Sequence, residues 1–207
     1  MYTPREFEVR DRAWALELIR RYPFGLLVTS DGEAEYPRAT HLPMVAQERD
    51  DGVWIVGHVA RANPHAGAIL SGSSATLVFQ GAHAYVSASW YEEPYVTVPT
   101  WNYTAVHVYG RLRECDAWQA LQLLTERVEG SGGDAWDPRR LEPGYRESQI
   151  RAIVAFELRA DALSAKAKLS QNRTEADRLR VIEHLSRSAD QTERECAEAM
   201  RERMLGQ

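Results

Sequence analysis

The sequence predicts a mostly β protein of the α+β class, in which six or seven antiparallel strands form a barrel with peripheral helices and a helical C-terminal tail. Three observations lead to this prediction. Short apolar runs recur between turn residues, two runs within Phe79–Gly110 alternate with the period of a strand, and the chain after Thr174 carries helix signals. The 207 residues, 44% hydrophobic and 27% charged, have the composition of a folded globular protein.

The stretch Phe79–Gly110 contains the clearest alternation. Its first run places four polar or aromatic side chains on one face, namely His83, Tyr85, Ser87 and Ser89, and small apolar ones on the other, namely Ala82, Ala84, Val86 and Ala88. Its second run alternates Ala105, His107 and Tyr109 with Val106 and Val108. We expect the apolar faces to be buried, so a strand, a second subunit or a ligand must satisfy the polar faces.

The N-terminal half predicts a helix and four strands. Asp11 caps a helix that ends near Tyr22, and Asn63 with Pro64 begins a second, short helix. Turns are expected at Ser30–Gly32 and Asp50–Gly52. The strands are Phe24–Thr29, which we expect to be buried, Pro37–Leu42 closed by Pro43, Val53–His58, and Ala75–Gln80; the two alternating runs supply a fifth and a sixth.

The C-terminal half predicts helices around a last strand. Asp116 and Gln119 form a capping box for a helix that ends near the turn Gly130–Gly133. Its buried stripe is expected to consist of Leu121, Leu124 and Val128. A short helix within Leu141–Ile150, a strand at Ile153–Leu158, a helix capped by Thr174 and a helix at Gln191–Leu205 follow. We expect residues 1–165 to form the barrel domain and residues 166–207 a helical extension on or near it.

Composition narrows the function classes. No run reaches the length of a membrane span and the N-terminus lacks a signal-peptide core, so we expect a cytoplasmic protein without membrane contact. Cys115 and Cys196 have no paired spacing, which argues against disulfides or a zinc ribbon. The net charge of −5 argues against a wholly basic nucleic-acid binder.

Several ordered motifs resemble the PaiB family of FMN-binding split barrels, which are described as negative transcriptional regulators. They are Ala39–Pro43, Gly57–His58 with Asn63–Pro64, Phe79–Tyr85, Val98–Tyr103 and Lys168–Arg173 (KLSQNR). The resemblance implies a split β-barrel, FMN as cofactor, and a homodimer that binds flavin at the subunit interface. It does not imply an enzyme, because a fold does not carry its chemistry with it.

The segment Gly57–His65 is the expected site of the FMN phosphate. A strand delivers the chain to a helix start, where backbone N–H groups and the positive end of the helix dipole favour an anion. His58 and Asn63 lie in this segment, Arg61 and His65 would add charge, and Arg38 would reach it from the neighbouring strand. An ordinary strand–loop–helix connection, in which Asn63 only caps, is the alternative.

The flavin ring is expected along the strand that carries Ala39, Thr40 and His41. Backbone groups would face the pyrimidine edge, Thr40 would add a hydroxyl and Gln80 a hydrogen bond to the ring. Trp101 and Asn102 would close the pocket from the partner subunit. Trp101 could equally be a core or dimer-interface anchor.

Arg173 completes the KLSQNR motif, and we expect it to fold back to the ligand or to the dimer-interface pocket. Residues 166–180 hold five basic and two acidic side chains in an acidic chain. They could contact a phosphate of flavin or of DNA, or form a solvated face.

The histidines are expected to be structural, because none is paired at metal-ligand spacing. Neither a nucleophile elbow nor an acid–base pair can be identified. Two functions therefore stay open: a flavin-binding regulatory dimer with weak or indirect DNA contact, and a flavin-dependent oxidoreductase acting on a small molecule.

Overall fold

The computed structural model describes residues 1–30, 35–130, 132 and 135–205. Seven strands are present in these residues: β1 (Glu8–Val9), β2 (Phe24–Thr29), β3 (Arg38–Arg49), β4 (Gly52–Ala60), β5 (Ser74–Val86), β6 (Thr100–Glu114) and β7 (Ile153–Lys168). The α-helices in the same residues are α1 (Arg12–Arg21), α2 (His65–Leu70), α3 (Ala117–Glu129), α4 (Pro143–Arg151), α5 (Glu175–Ser186) and α6 (Gln191–Leu205).

The strands form one sheet in the order β1-β7-β4-β3-β2-β5-β6, and β6 also pairs with β7. This last pairing closes six strands into a barrel and leaves β1 as an extra strand on β7. Gly110 lies at the closure, where an added Cβ would stand only 2.2 Å from the carbonyl oxygen of Arg159. The predicted antiparallel barrel is confirmed, with the sequence-neighbouring β2–β3 and β3–β4 pairs running antiparallel.

Strand β3 is longer than predicted, because Pro43 does not end it. Pro43 is the last residue paired with β2, opposite Phe24, and the pairing with β4 begins at Met44. A proline lacks the N–H that a ladder needs, but at this change of partner the missing donor is tolerated. Strand β2 has its predicted bounds, although it is buried only on alternate residues rather than throughout.

The strand predicted at Ala75–Gln80 and the first alternating run are one strand, β5. The run of buried odd-numbered positions ends at Gly81 and buried even-numbered positions begin at Ala82, so the buried face changes parity between them. Because of this change, the sequence pattern predicted two separate strands. The strand ends at Val86, and Ala88–Trp90 is a 3-10 turn instead of the predicted strand continuation.

Three of the predicted helix starts, those of α1, α3 and α5, are confirmed by their caps. Asp11 accepts a hydrogen bond from the Ala13 N–H at 2.8 Å, and Asp116 accepts one from the Gln119 N–H at 2.7 Å. Thr174 accepts one from the Asp177 N–H at 3.1 Å. The buried stripe of α3 was partly wrong: Ala120 and Leu124 are buried, whereas Val128 is 72% exposed.

Strand β7 extends ten residues beyond its predicted end and takes in Lys166 and Lys168. Its C-terminal part pairs with β1, with Val9 opposite Ala165. The predicted domain boundary after residue 165 therefore falls inside a strand. The predicted turn at Ser30–Gly32 falls mostly on residues 31–34, and the turn at Gly130–Gly133 partly on 131 and 133, which lie outside the described residues.

The chain divides into two compact units. Unit 1 comprises Met1–Leu18, Gln80–Val106 and Ser164–Gln207, and unit 2 comprises Ile19–Phe79 and His107–Leu163. Unit 2 buries large side chains of the barrel strands, including Leu27, Ile55, Leu77, Phe79 and Phe156. Unit 1 buries the inner faces of α5 and α6, including Val181, Leu185, Cys196 and Met200. No helix in the described part of the chain is both long and apolar enough to span a membrane.

Candidate functional site

Four of the predicted site residues meet in unit 2, where the start of β3 lies beside the start of α2. We call Arg38, Thr40, Asn63 and His65 the β3–α2 cluster. Arg38 and Thr40 are two residues apart on β3 and so point to the same face of the sheet. A tight connection after β4 supplies the other two, with the Asn63 N–H donating to the Ala60 carbonyl at 2.8 Å.

Hydrogen bonds hold the side chains of the β3–α2 cluster in place. The Thr40 hydroxyl lies 2.7 Å from His65 Nδ1 and accepts from Asn63 Nδ2 at 3.3 Å. The Arg38 guanidinium donates to the Pro64 carbonyl at 3.1 Å. His65 is 1% exposed, whereas Arg38 and Thr40 are partly exposed. The cluster therefore presents a guanidinium, a hydroxyl and an amide around a fixed imidazole.

The helix start differs by one residue from the prediction. Pro64, rather than Asn63, occupies the N-cap position of α2, and Pro64 makes no side-chain capping bond. Asn63 still accepts a hydrogen bond from the His65 N–H at 2.9 Å through its side chain. The helix spans six residues. The side chains of the cluster, rather than a long helix dipole, are the main feature of this site.

Thr29 is a member of this region that sequence reasoning missed. It lies opposite Arg38 across the β2–β3 ladder, is 1% exposed, and its hydroxyl has no hydrogen-bond partner in the described residues. A buried hydroxyl without a partner is costly and suggests a polar group that completes the site. The available signal was a threonine at the end of the apolar strand sequence FGLLVT.

Three other predicted residues of β3 and the following loop do not join the cluster. Ala39 and His41 are exposed and alternate with Arg38 and Thr40, so their side chains lie on the opposite face. His41 stacks on Phe24, with ring centroids 6.1 Å apart and an interplanar angle of 18°. Arg61 donates to the backbone carbonyls of Arg151 at 2.8 Å and Ile153 at 2.9 Å. Arg61 therefore ties its loop to the start of β7.

His58 lies on β4 and is partly buried. Its Nδ1 atom is buried without a hydrogen-bond partner in the described residues, and burial lowers the pKa of the ring. The neutral imidazole is therefore favoured. Across the described residues, His, Cys, Asp and Glu side chains form no group of three or more that could hold a metal ion.

The remaining predicted residues lie in unit 1. Gln80 is exposed on β5, and Trp101 is 54% exposed at the start of β6. The Trp101 ring centroid lies 6.2 Å from that of His83 and 6.0 Å from that of Tyr85. These aromatic side chains form an exposed surface suited to stacking against a planar group.

Asn102 is fully buried, in contrast to Trp101 next to it. Its side-chain amide donates to the Ser170 hydroxyl at 2.9 Å and to the Met200 sulfur at 3.4 Å. The Ser170 hydroxyl donates back to Asn102 Oδ1 at 3.2 Å. Asn102 therefore joins β6 to the KLSQNR turn and to α6 in this structure.

Arg173 lies at the end of the KLSQNR turn, with its guanidinium carbon 4.7 Å from the centroid of the Tyr91 ring. The backbone N–H of Arg173 donates to the Ser170 carbonyl at 3.0 Å. In the turn that this bond closes, Ser170 has a φ of 64°. A non-glycine residue in this left-handed region is uncommon and is often found at functional sites.

The closed antiparallel barrel defines the fold class of the protein, the split β-barrel. The chain is similar to the solved FAD- and heme-binding protein of Mycobacterium smegmatis, with a TM-score of 0.59, 17% identity, and coverage of 78% of this chain and 73% of that one. It is equally similar to the flavocytochrome Anf3 of Azotobacter vinelandii, with a TM-score of 0.59, 18% identity, and coverage of 85% and 77%. At these identities the likeness shows the fold alone.

Residues 1–162 match the family described as "Putative FMN-binding domain", and the chain belongs to this family. It is 35% identical over 212 residues to protease synthase and sporulation protein PAI 2 of Bacillus subtilis, with all of both chains covered. It is 29% identical to an uncharacterized protein of Emericella nidulans, covering 80% of this chain and 82% of that one. The predicted PaiB resemblance and the predicted flavin cofactor, FMN, are thereby confirmed at the level of the family.

Proposed function

We propose that the protein binds FMN as a homodimer and that the β3–α2 cluster holds the FMN phosphate. The observation that carries this proposal is the convergence of Arg38, Thr40, Asn63 and His65 within one unit. A phosphate needs positive charge and several donors at fixed positions. Arg38 supplies the charge, while Thr40 and Asn63 supply a hydroxyl and an amide. The donor set therefore fits the group.

Each residue of the cluster has a distinct role in this proposal. Arg38 binds the phosphate oxygens and is held by the Pro64 carbonyl. Thr40 orients His65 through the 2.7 Å contact with Nδ1, and Asn63 holds Thr40 from the other side. Thr29, across the ladder from Arg38, provides a further hydroxyl. When bound, FMN supplies an absorbing, redox-active ring. The roles predicted for Gln80, Trp101, Asn102 and Arg173 toward FMN stay predictions.

A direct test compares FMN with riboflavin, which lacks the phosphate. We expect FMN to bind more tightly, and Thr40→Val to weaken FMN binding about tenfold, the scale of one charge-assisted hydrogen bond. Riboflavin affinity should stay unchanged in Thr40→Val. Flavin absorbance and fluorescence titrations measure both affinities. The matched control is Thr76→Val on β5, a partly exposed strand threonine outside the cluster. Equal affinities of the wild type for FMN and riboflavin would refute phosphate recognition.

Exposed apolar side chains in unit 1 support the homodimer. Tyr95 is fully exposed at 100%, Val96 is 78% exposed, and Val98 is 68% exposed, all within a few residues of Trp101. Several large exposed apolar side chains within one short segment commonly mark a protein–protein interface. A second copy of the chain is the occupant that the family resemblance implies.

We further propose that the protein has a regulatory role in which flavin occupancy, rather than strong DNA binding by the tail, is the controlling variable. The relative in Bacillus subtilis is named protease synthase and sporulation protein PAI 2. In this chain α6 carries four glutamates and three arginines. Two of these arginines are engaged locally: Arg194 donates to the Ser188 and Ala189 carbonyls at 2.7 Å, and Arg201 donates to the Ser186 hydroxyl at 2.5 Å.

DNA binding by the tail is therefore expected to be weak. We expect a dissociation constant in the non-specific range of roughly 10⁻⁴–10⁻⁶ M at physiological salt, with a steep loss of affinity as salt rises. Fluorescence anisotropy with a labelled duplex, over a series of salt concentrations and with or without FMN, measures this. A nanomolar complex that is insensitive to salt would contradict the proposal.

A further inference from the structure

The chain contains only two lysines among its 25 basic residues, Lys166 and Lys168. Both lie on β7, immediately before the turn that carries Arg173. An ammonium is more strongly hydrated than a guanidinium, so removing it from water is costly without an anionic partner. A buried lysine at either position therefore indicates a candidate binding site for an anion.

Lys166 is 6% exposed, and its ammonium contacts only neutral groups among the described residues. Its ammonium donates to the Tyr2 carbonyl at 3.2 Å and lies 4.9 Å from the centroid of the Tyr103 ring. Glu8 faces Lys166 across the β1–β7 ladder, but its carboxylate accepts from Arg10 at 2.7 Å. The buried positive charge of Lys166 is thus stabilised by dipoles and an aromatic face.

Lys168 has the same kind of surroundings. Its ammonium donates to the Trp101 carbonyl at 2.6 Å and to the Thr100 hydroxyl. Burial, together with the charges of Lys166 and Arg173, lowers the pKa of Lys168. Lys166 and Arg173 are therefore each near enough to Lys168 for their charges to disfavour its protonated form.

The turn between Lys168 and Arg173 is held by its own side chains. Gln171 accepts from the Leu169 N–H at 2.7 Å and donates to the Ala167 carbonyl at 2.5 Å. Ser170, buried to 3% exposure, is fixed by Asn102. Arg173 therefore has a defined position at the end of a rigid turn. Asp177, in the first turn of α5, follows this turn in the chain, and its carboxylate accepts a hydrogen bond from the Glu92 N–H at 2.9 Å.

Lys166, Lys168 and Arg173 form no ion pair with any carboxylate in the described part of the chain. We propose that these three residues form a binding site for a phosphate-type oxyanion. An oxyanion relieves the mutual repulsion and gives the buried Lys166 a counter-charge. The exposed ring of Trp101, whose carbonyl binds Lys168, suits an oxyanion carried on a planar ring. The site consists of unit 1 residues, and its existence does not depend on the β3–α2 cluster.

The presence of only two lysines allows a direct measurement. Protein labelled with ¹³C at lysine Cε gives two side-chain signals, which Lys168→Arg assigns. We expect inorganic phosphate to shift both signals saturably, beyond the shift caused by sodium chloride at the same ionic strength. Arg173→Gln should weaken phosphate binding about tenfold. Arg111→Gln, an exposed arginine that donates to the Gly72 carbonyl at 3.2 Å, is the matched control.

Two further titrations identify the source of the oxyanion. If FMN abolishes the phosphate response and riboflavin does not, the phosphate of FMN occupies this site, and the β3–α2 cluster does not hold it. If the response is unchanged in FMN-saturated protein, the site takes a second, phosphate-bearing ligand. A protein that binds no FMN but retains the phosphate response would refute the proposed function and leave this site standing. Absence of a saturable shift with phosphate and with FMN, or an unchanged affinity in both Arg173→Gln and Lys168→Gln, would overturn the site.

Discussion

Thr40 illustrates how a single residue gains its meaning from its neighbours. The sequence suggested a hydroxyl that faces the flavin ring. In the structure the hydroxyl contacts His65 Nδ1 at 2.7 Å and Asn63 Nδ2 at 3.3 Å, residues more than twenty positions away. A threonine on a strand can serve either purpose, and only the side-chain contacts of Thr40 with Asn63 and His65 distinguish them. Thr40 is therefore best described as the residue that organises the cluster.

Arg173 carries the prediction at the residue scale. We expect Arg173→Ala to weaken FMN binding by about 1.5–3 kcal/mol, the usual contribution of a charge-assisted hydrogen bond, while the dimer stays intact. Arg173→Lys should not restore affinity, because an ammonium cannot reproduce two parallel hydrogen bonds. Flavin titration and sedimentation measure the two properties.

The stacking of Arg173 over Tyr91 offers a competing explanation, which thermal unfolding can test. If FMN affinity is unchanged in Arg173→Ala while the melting temperature falls, Arg173 is a structural clamp for the tail. If neither changes, the residue serves another partner. Tyr91→Phe keeps the aromatic face and is the control for the stacking contact.

At the scale of elements, hydrogen bonds between distant segments determine where the KLSQNR turn lies. Asn102 on β6 and Ser170 in the turn exchange two hydrogen bonds, at 2.9 and 3.2 Å, in a fully buried setting. Met200 on α6 accepts a third at 3.4 Å. The sequence motifs VPTWNY and KLSQNR are thus joined in space, which explains why both carry an amide or hydroxyl at an interior position.

We expect Asn102→Ala to lower the free energy of unfolding by about 1–3 kcal/mol, because it leaves the buried Ser170 hydroxyl without its partner. Ser170→Ala should cost a similar amount, and the double variant should cost less than the sum, since the two residues share one interaction. Urea unfolding of the wild type, the two single variants and the double variant, monitored by circular dichroism, provides the double-mutant cycle. Strict additivity of the two losses would show that the Asn102–Ser170 pair contributes no coupling energy.

The strands show how patterns misplace element ends. The sequence predicted strand ends at Pro43 and at Gln80. Both residues lie inside strands, the first at a change of pairing partner and the second next to a change of the buried face. Proline and glycine are valid signals of a strand end when a strand is considered in isolation. A closed barrel gives each strand two neighbours, so a residue that cannot pair on one side is still held by the other.

At the scale of the whole molecule, the prediction concerns assembly. We expect a stable homodimer at micromolar concentration, because the apolar surface near Tyr95, Val96 and Val98 needs a partner. Val98→Glu should shift the equilibrium toward monomer, since a charge buried in an interface is costly. Val128→Glu, at a valine on α3 that is 72% exposed, is the matched control and should leave the assembly unchanged. Analytical ultracentrifugation measures the masses, and a wild-type monomer at micromolar concentration would contradict the prediction.

The sequence by itself determined the barrel class, most strand and helix positions, the helix caps and the family, because alternation, capping residues and ordered motifs are local signals. It also selected the members of the β3–α2 cluster. Tertiary structure alone decided which candidates meet: Ala39, His41 and Arg61 point elsewhere, Asn102 is a buried tie, and Thr29 and the two lysines gain significance from partners far along the chain. These outcomes depend on strand register and on the paths of the loops. Both bring together residues whose contact cannot be predicted from their spacing in the sequence.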